Sequence, residues 1–588
     1  MGFFPPTQSE EHILSLISQI KDWQINHGSL LKLIRAETEH SSLCRPVGVS
    51  VFPTPFPRTH FHRALELQTI YNELYCAIAE DEEWISETIK DLIPVEPLVA
   101  ILWEIYQEVR RDIRNGVDIN NVSAGIFRSD YMLSLGTQGR RTRTSGGDEN
   151  GNQNQGVLLL SETRLKQVEF NTFSCAGGAH AKRVVDMHRY LARRGDYSDL
   201  HCDSDNRSND SPINITAESL PRSDNVEALA SCLRTAHAVY GAPKGSAADK
   251  TAVLFVVQPH NYNIADERPI EYALWNPTDG KDDDNGVIPT YRVEFGHDVL
   301  HDTILTESRE LLFHPGPRRK KNQKPVEISV IYMRAGYEAG EYSPAAGGRE
   351  ARLRLEKSRC IKCPSLLTHI ATFKRVQQAL TAPGALERFL PPEKVEVIRD
   401  TFVPIYPLDN ESEAGRYARS LVESYYCSST STESTSDTND GSGDETCHRE
   451  EIAPRNFNYV LKPSREGGGH NVFGNAIPEF LASIPESEWS SYILMERIRA
   501  PPVTNVLISP DQRIRMGEVV SELGVFGACL WRSSSSGSSS TSAPDGGCEM
   551  LQNAVAGWSF KTKSASTDEM SVVKGYGCFD TPCLVDID

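Results

Sequence analysis

The chain reads as a mixed α/β (α+β) protein: a parallel-sheet unit inserted in a larger body, with a helical region at the N-terminal end. Three observations lead there. TAVLFVVQ (251–258) and EISVIYMR (327–334) are continuous apolar runs rich in β-branched residues, the pattern of strands covered on both faces in a parallel sheet. Upstream, Ile13, Leu16, Ile17, Ile20 and Trp23 recur at helical spacing, and residues 62–94 and 97–114 repeat it with acidic outer faces. Downstream, YVLKPSREGGGHNVFG (459–474) carries a short apolar strand into a lysine and a three-glycine loop.

A chain of 588 residues has core enough for several domains, because single cores stop growing near roughly 250–300 residues. The formal net charge of −19 argues against a general binder of nucleic acid or anionic membrane. No run approaches the roughly 18 apolar residues of a membrane span. MGFFPPTQSEEH lacks a basic and an apolar region, so no secretory signal is expected, and Pro6 breaks the myristoylation pattern. The 13 cysteines are scattered, only Cys360 and Cys363 lying close, and read as reduced thiols of a cytoplasmic protein.

In chain order, a polar segment (137–155) precedes strand-like VLLL (157–160). LKQVEFNTFS (165–174) alternates as a strand and ends in a small-residue turn, SCAGGAH. An amphipathic helix is expected over 181–194, polar loop over 195–224 and helix over 226–240. The stretch between the two apolar runs is charged and reads as loop-rich. From about 375 helical and strand signals alternate, interrupted by CSSTSTESTSDTNDGSGDETC (427–447) and RSSSSGSSSTSAPDGGC (532–548). Both tracts are too poor in apolar residues to pack, so disordered surface insertions are expected.

The chemistry concentrates at the glycine loop. Bare backbone and Lys462 suit a polyphosphate, and Glu466 beside phosphates calls for a divalent cation such as Mg²⁺. A plain glycine-rich hairpin would look the same in isolation. Neither GxxxxGK[ST] nor GxGxxG is present, so a nucleotide site must be of another kind. Glu169 and Asn171, two apart on a strand, share one face and suit a hard cation. SYILMERI (491–498) and VVSELGVFG (519–527) read as strands, the second ending in Glu522 and a glycine turn; Lys561 and Lys563 share a face if extended.

Taken in order, KPSREGGGHN, YILMERI and SELGVFG resemble the eukaryotic glutathione synthetase family of ATP-grasp ligases. FRSDYM (127–132), LKQVEFNTFS, IYMRAGYEAGEY (331–342) and IKCPSLLTHIATFKRVQQAL (361–380) extend the likeness over most of residues 60–585. The resemblance implies a permuted ATP-grasp fold, usually homodimeric, with ATP held between two β-rich lobes. It divides the chain into 1–248, a helical region with the first part of the core; 249–372, an α/β substrate-binding domain; and 373–588, the rest of the core and a lid. ATP and Mg²⁺ are the implied cofactors. In the implied reaction ATP phosphorylates the carboxylate of a γ-glutamyl peptide, and the amine of glycine attacks the acyl phosphate.

Position by position, the resemblance puts the metal ligands on Glu169, Asn171 and Glu466. Nucleotide contacts fall on Lys374, Lys462, Gly468, Gly469, Asn471, Phe473 (in place of a tyrosine), Met495, Ile498, Glu522 and Lys563. Arg334 and Lys462 take the catalytic positions beside the transferring phosphoryl group. Arg128, Ser174, Cys175, Asn263 and Arg334 fall to the peptide substrate.

The substrate side departs from the family. Ala176 stands where the resemblance expects serine, and ERNxxDQ reads NYNIADE (261–267), so Tyr262 replaces arginine and Glu267 replaces glutamine. Lys561 replaces the arginine that clamps the glycine carboxylate, and the glycine-rich closing loop reads MSVVKG (570–575), with Val572 and Val573 at its centre. Lysine is a point charge where arginine offers a fork. Because these changes gather on the peptide and amine sites, the expected activity is an ATP-dependent ligase for small peptide acid and amino-compound substrates with an altered pair. The alternatives are glutathione synthesis itself and a non-catalytic binder of ATP or a thiol peptide.

Overall fold

The computed structural model describes residues 9–33, 43–117, 119–135, 160–197, 214–261, 263–276, 286–315, 324–430, 457–464, 470–533, 548–572 and 575–587. Thirteen of its strands join one mixed sheet. Four lie side by side and parallel: Thr290–Glu294, Thr251–Val257, Val326–Met333 and Ile361–Cys363. Both long apolar runs are therefore parallel strands. In Thr251–Val257, Ala252, Leu254 and Val256 enter one core while Val253, Phe255 and Val257 enter another, which is why the run is apolar at every position. Val326–Met333 does the same, with a bulge between Ile328 and Val330 shifting its phase.

Ile361–Cys363 lies parallel to the start of Val122–Leu135, where the sheet turns antiparallel. Ile514–Ser533 and then Cys548–Ser564 follow on one side, and Thr163–Asn171 pairs with the C-terminal half. Val503–Ile508 pairs with both Ile514–Ser533 and Val49–Ser50, closing a ring through Cys578–Asp580. The glycine turn expected after Glu522 is absent: the strand runs on through Gly524 and Gly527. A Cβ at Gly524 would meet Asp130 Oδ1 at 2.6 Å, and one at Gly527 would meet Asn72 Oδ1 at 2.1 Å, so these glycines admit polar neighbours rather than reverse the chain.

The N-terminal helices Glu10–Asn26, Arg58–Glu80, Glu82–Ile89 and Pro97–Arg114 match their periodicity. Tyr71 and Tyr75 of Arg58–Glu80 stack on Phe170, with ring centroids 5.3 and 4.0 Å apart, which ties the helix to the Thr163–Asn171 strand. A second, antiparallel sheet holds Ile405–Pro407, Tyr492–Glu496, Tyr459–Pro463 and Val472–Phe473. Its core of Leu408, Leu461, Ile477, Leu481 and Leu494 is separate from those of the large sheet, so it forms a small lobe.

The stretch between the apolar runs is more ordered than its charge suggests. It contains the helix Ile264–Trp275 and the strand Thr290–Glu294, because Asp266, Glu267 and Glu271 are buried with arginine partners instead of facing solvent. The helix expected over 181–194 starts earlier, at Gly178. Helix Glu413–Thr430 runs into the first serine-rich tract, and strands claim Arg532, Ser533 and Cys548 at the edges of the second; 431–447 and 534–547 lie outside the described residues, as do 137–155 and 157–159. No disulfide joins the ten cysteines whose side chains are described, and no described helix is long and apolar enough to cross a membrane.

Candidate active site

A cavity of about 1500 Å³ separates the two sheets. Thr163–Asn171, Ile514–Ser533 and Cys548–Ser564 supply one wall, and Tyr459–Pro463 and Tyr492–Glu496 supply the other. Lys462 crosses the gap: its Nζ donates to the Val168 carbonyl at 2.9 Å. Glu169 lies next along that strand, 3.2 Å from Lys374 Nζ at the start of helix Lys374–Ala379. Asn171 Nδ2 donates to Glu169 Oε1 (3.2 Å) and to Asp130 Oδ2 (3.1 Å), which leaves its Oδ1 as the atom able to ligate a cation.

Charge sets the state of this group. Burial would raise the Glu169 carboxyl, but Lys374, Lys462 and Arg128 outweigh it and hold the group well below the usual carboxylate range. Burial, aided by Lys374, draws the Lys462 ammonium below its ordinary value against the pull of Glu169. Arg128 forks onto Asp130, with Nε 2.7 Å from Oδ1 and Nη2 2.6 Å from Oδ2. Asp130, buried at the centre of these residues, was missed by the sequence reading. Its position two residues after Arg128 on one strand face was the signal.

The turn SCAGGAH forms the adjoining wall. Ser174 (φ +50°) and Gly177 (φ +99°) adopt left-handed conformations. This curls the carbonyls toward two arginines: Ala176 O accepts from Arg128 Nη1 at 3.1 Å and Cys175 O from Arg334 Nη1 at 2.5 Å. Asp266 caps the following helix, accepting from Gly177 N (2.9 Å) and Ala179 N (3.0 Å). Ser174, Cys175, Ala176 and Asn263 line the cavity.

Arg334 and Glu267 do not line it. Arg334, with its side chain 2% exposed, donates to Glu267 (3.3 Å) and to the Tyr332 hydroxyl (3.2 Å). The other Glu267 oxygen receives Arg292 (2.8 Å) and Asn261 Nδ2 (2.6 Å). The expected mismatch of Glu267 with a substrate oxygen is therefore replaced by internal pairing, and Arg292 is the partner that sequence did not reveal.

On the strands, Lys561 Nζ lies 2.6 Å from Glu522 Oε1, so two positions expected to meet different ligands meet each other. Lys563 Nζ donates to the Thr567 and Asp568 carbonyls, both at 2.6 Å, and Asn471 N donates to Glu569 Oε1 at 3.1 Å. Phe473 lies under the Arg497 guanidinium, and Met495, Ile498 and Val572 complete the apolar lining. Glu466, Gly468, Gly469, Tyr262 and Val573 lie outside the described residues.

The residues present fit a magnesium-bound nucleotide. At the Glu169 cluster Arg128, Lys374 and Lys462 face Asp130 and Glu169, a local cationic excess suited to a phosphate, while Glu169 and Asn171 Oδ1 are hard oxygen ligands. Comparison with known proteins agrees. The family model "eukaryotic glutathione synthase, ATP binding domain" matches residues 10–584. The glutathione synthetase large chain of Schizosaccharomyces pombe is 28% identical over 97% of each chain. The glutathione synthetase of Dictyostelium discoideum is 27% identical, over 98% of this chain and 100% of its own; that of Rattus norvegicus is 28% identical over 98% of each. A solved apo structure, a glutathione synthetase-like effector from Globodera pallida, shares the fold with a TM-score of 0.62 at 18% identity, covering 98% of both chains.

Proposed function

The chain belongs to the eukaryotic glutathione synthase family, and on that premise we propose that it joins a γ-glutamyl-type peptide carboxylate to an amine other than glycine. It is an ATP-dependent C–N ligase of the ATP-grasp type that uses Mg²⁺. One observation carries the altered-substrate reading. The Glu169–Lys374–Lys462 cluster is in place, while Lys561, at the position that grips the amine's carboxylate, is already held by Glu522 at 2.6 Å.

Residue roles follow the family resemblance, supported for the described residues by the cavity they share. Lys374 and Lys462 offset phosphate charge, and Glu169, Asn171 and Glu466 would hold Mg²⁺, which when bound draws charge off the phosphate oxygens. Gly468, Gly469, Asn471, Phe473, Met495, Ile498 and Lys563 would seat the nucleotide. Arg128 and Arg334 act partly through the backbone, fixing the Cys175 and Ala176 carbonyls and so the wall against which the acid lies. The acid's carboxylate oxygen takes the γ-phosphoryl group of ATP, releasing ADP and giving an acyl phosphate, and the amine then displaces inorganic phosphate and loses a proton to form the amide. Residues 249–372 serve as the unit shaping the acid site; we place the protein in the cytoplasm as a homodimer, which sedimentation would check.

The direct experiment supplies purified protein with ATP, Mg²⁺, γ-glutamylcysteine and a panel of amines, following phosphate release and product mass. Amine-dependent phosphate release is expected, with kcat/KM highest for an amine other than glycine. Glutathione formation from glycine at a higher kcat/KM than any other amine would overturn the reading.

A further inference from the structure

Resting on that ligase reading, we propose that His180 is a specificity-determining residue of the amine site, selecting an amine with a neutral hydrogen-bonding side group, a hydroxyl or carboxamide, over one without. His180 is 3% exposed and lines the cavity wall; its Nδ1 is sealed within the protein with no hydrogen-bond partner among the described residues, which leaves Nε2 as the ring nitrogen open to the cavity. A buried polar atom without a partner costs free energy until something supplies one. A cavity ligand reaches this ring through Nε2.

Position ties the ring to the amine. Its centroid lies 5.5 Å from that of Phe579. Phe579 is the register partner of Lys561 and packs in one apolar cluster with Val572 and Ala181. Through Phe579, His180 is linked to two other cavity-lining positions: Lys561, which the resemblance assigns to the amine, and Val572 of the closing loop.

The chemistry of the ring narrows the class. Burial lowers the imidazole to about 4, against an upward pull from Asp266, so the ring is neutral near pH 7 with one nitrogen donating and the other accepting. Hydroxyl and carboxamide groups both donate and accept, and match it. Asp266 on the adjacent helix disfavours an anionic side group. Glycine and alanine have no hydrogen-bonding side group to offer the ring.

The test compares kcat/KM for serine and asparagine with that for alanine, using wild type, His180→Leu and His180→Gln with γ-glutamylcysteine, ATP and Mg²⁺. Melting temperatures confirm that each variant is folded. The better of the two ratios is expected to fall about tenfold or more in His180→Leu, through KM rather than kcat, while His180→Gln, which keeps a polar end, stays within about threefold of wild type. Amine-dependent phosphate release with ratios unchanged in His180→Leu would overturn this inference and leave the ligase reading standing. Absence of amine-dependent release from wild type would overturn both.

Discussion

The Lys561 ammonium lies 2.6 Å from the Glu522 carboxylate, across a register pair of the two long strands that wall the cavity. A lysine so engaged has its charge largely answered before any substrate arrives. Arginine at 561 could keep one arm on Glu522 and turn the other to a substrate carboxylate. Lys561→Arg is therefore expected to raise kcat/KM for glycine about three- to tenfold, read from initial rates of phosphate release. An unchanged value would mean that the amine carboxylate is held elsewhere.

Glu267 and Arg292 form a largely buried pair where the resemblance expects a glutamine. Removing one charge of such a pair strands the other, typically at a cost of about 3–5 kcal/mol. Glu267→Gln should destabilise on the lower side of that range, since Arg292 keeps Glu271 and Arg334 keeps Asp266. In a double-mutant cycle with Arg292→Met, a coupling of at least about 1 kcal/mol is expected from denaturant unfolding. Strictly additive effects would show that the pair contributes nothing.

How much of this was legible depended on whether a residue's partner lies nearby in sequence. Glu169, Asn171 and Lys462 declare themselves, because a two-residue strand spacing and a lysine before a glycine loop are local patterns. Thr251–Val257 does too, its alternate residues serving two cores. Arg292 gives no local sign, since its carboxylate partner is 25 residues away. Gly524 and Gly527 mislead for another reason: a glycine that admits Asp130 or Asn72 is spelled like one that turns the chain. Lys374 was reached only through the family resemblance, its link to Glu169 spanning two separate elements.

Asp580 is fully buried and accepts hydrogen bonds from Ser50 (2.5 Å), Thr54 (2.6 Å) and Thr562 (2.6 Å). Burial nonetheless dominates and raises its carboxyl from 3.8 to about 6. Between those values the folded state binds more protons than the unfolded chain, so this group's contribution to stability falls as pH rises toward about 6 and is constant above. The span amounts to something on the order of 3 kcal/mol. The melting-temperature difference between wild type and Asp580→Asn should accordingly change between pH 4 and 6 and level off above; a flat difference would contradict the assignment.

Strands Ile514–Ser533 and Cys548–Ser564 stay paired to Ser533↔Cys548, so the ladder takes in both edges of the serine-rich tract and is complete without 534–547. Replacing 534–547 by a short Asn-Gly turn is expected to leave phosphate release within about twofold of wild type. A larger loss would give the tract a part in turnover.

The most direct measurement of the central claim sets glycine against serine, asparagine and other amines in parallel assays with γ-glutamylcysteine, ATP and Mg²⁺, resolving each product by mass. A retained nucleotide site beside an altered amine site requires ATP-dependent amide formation in which some amine surpasses glycine in kcat/KM. Glycine leading the panel, with glutathione as the main product, would contradict it.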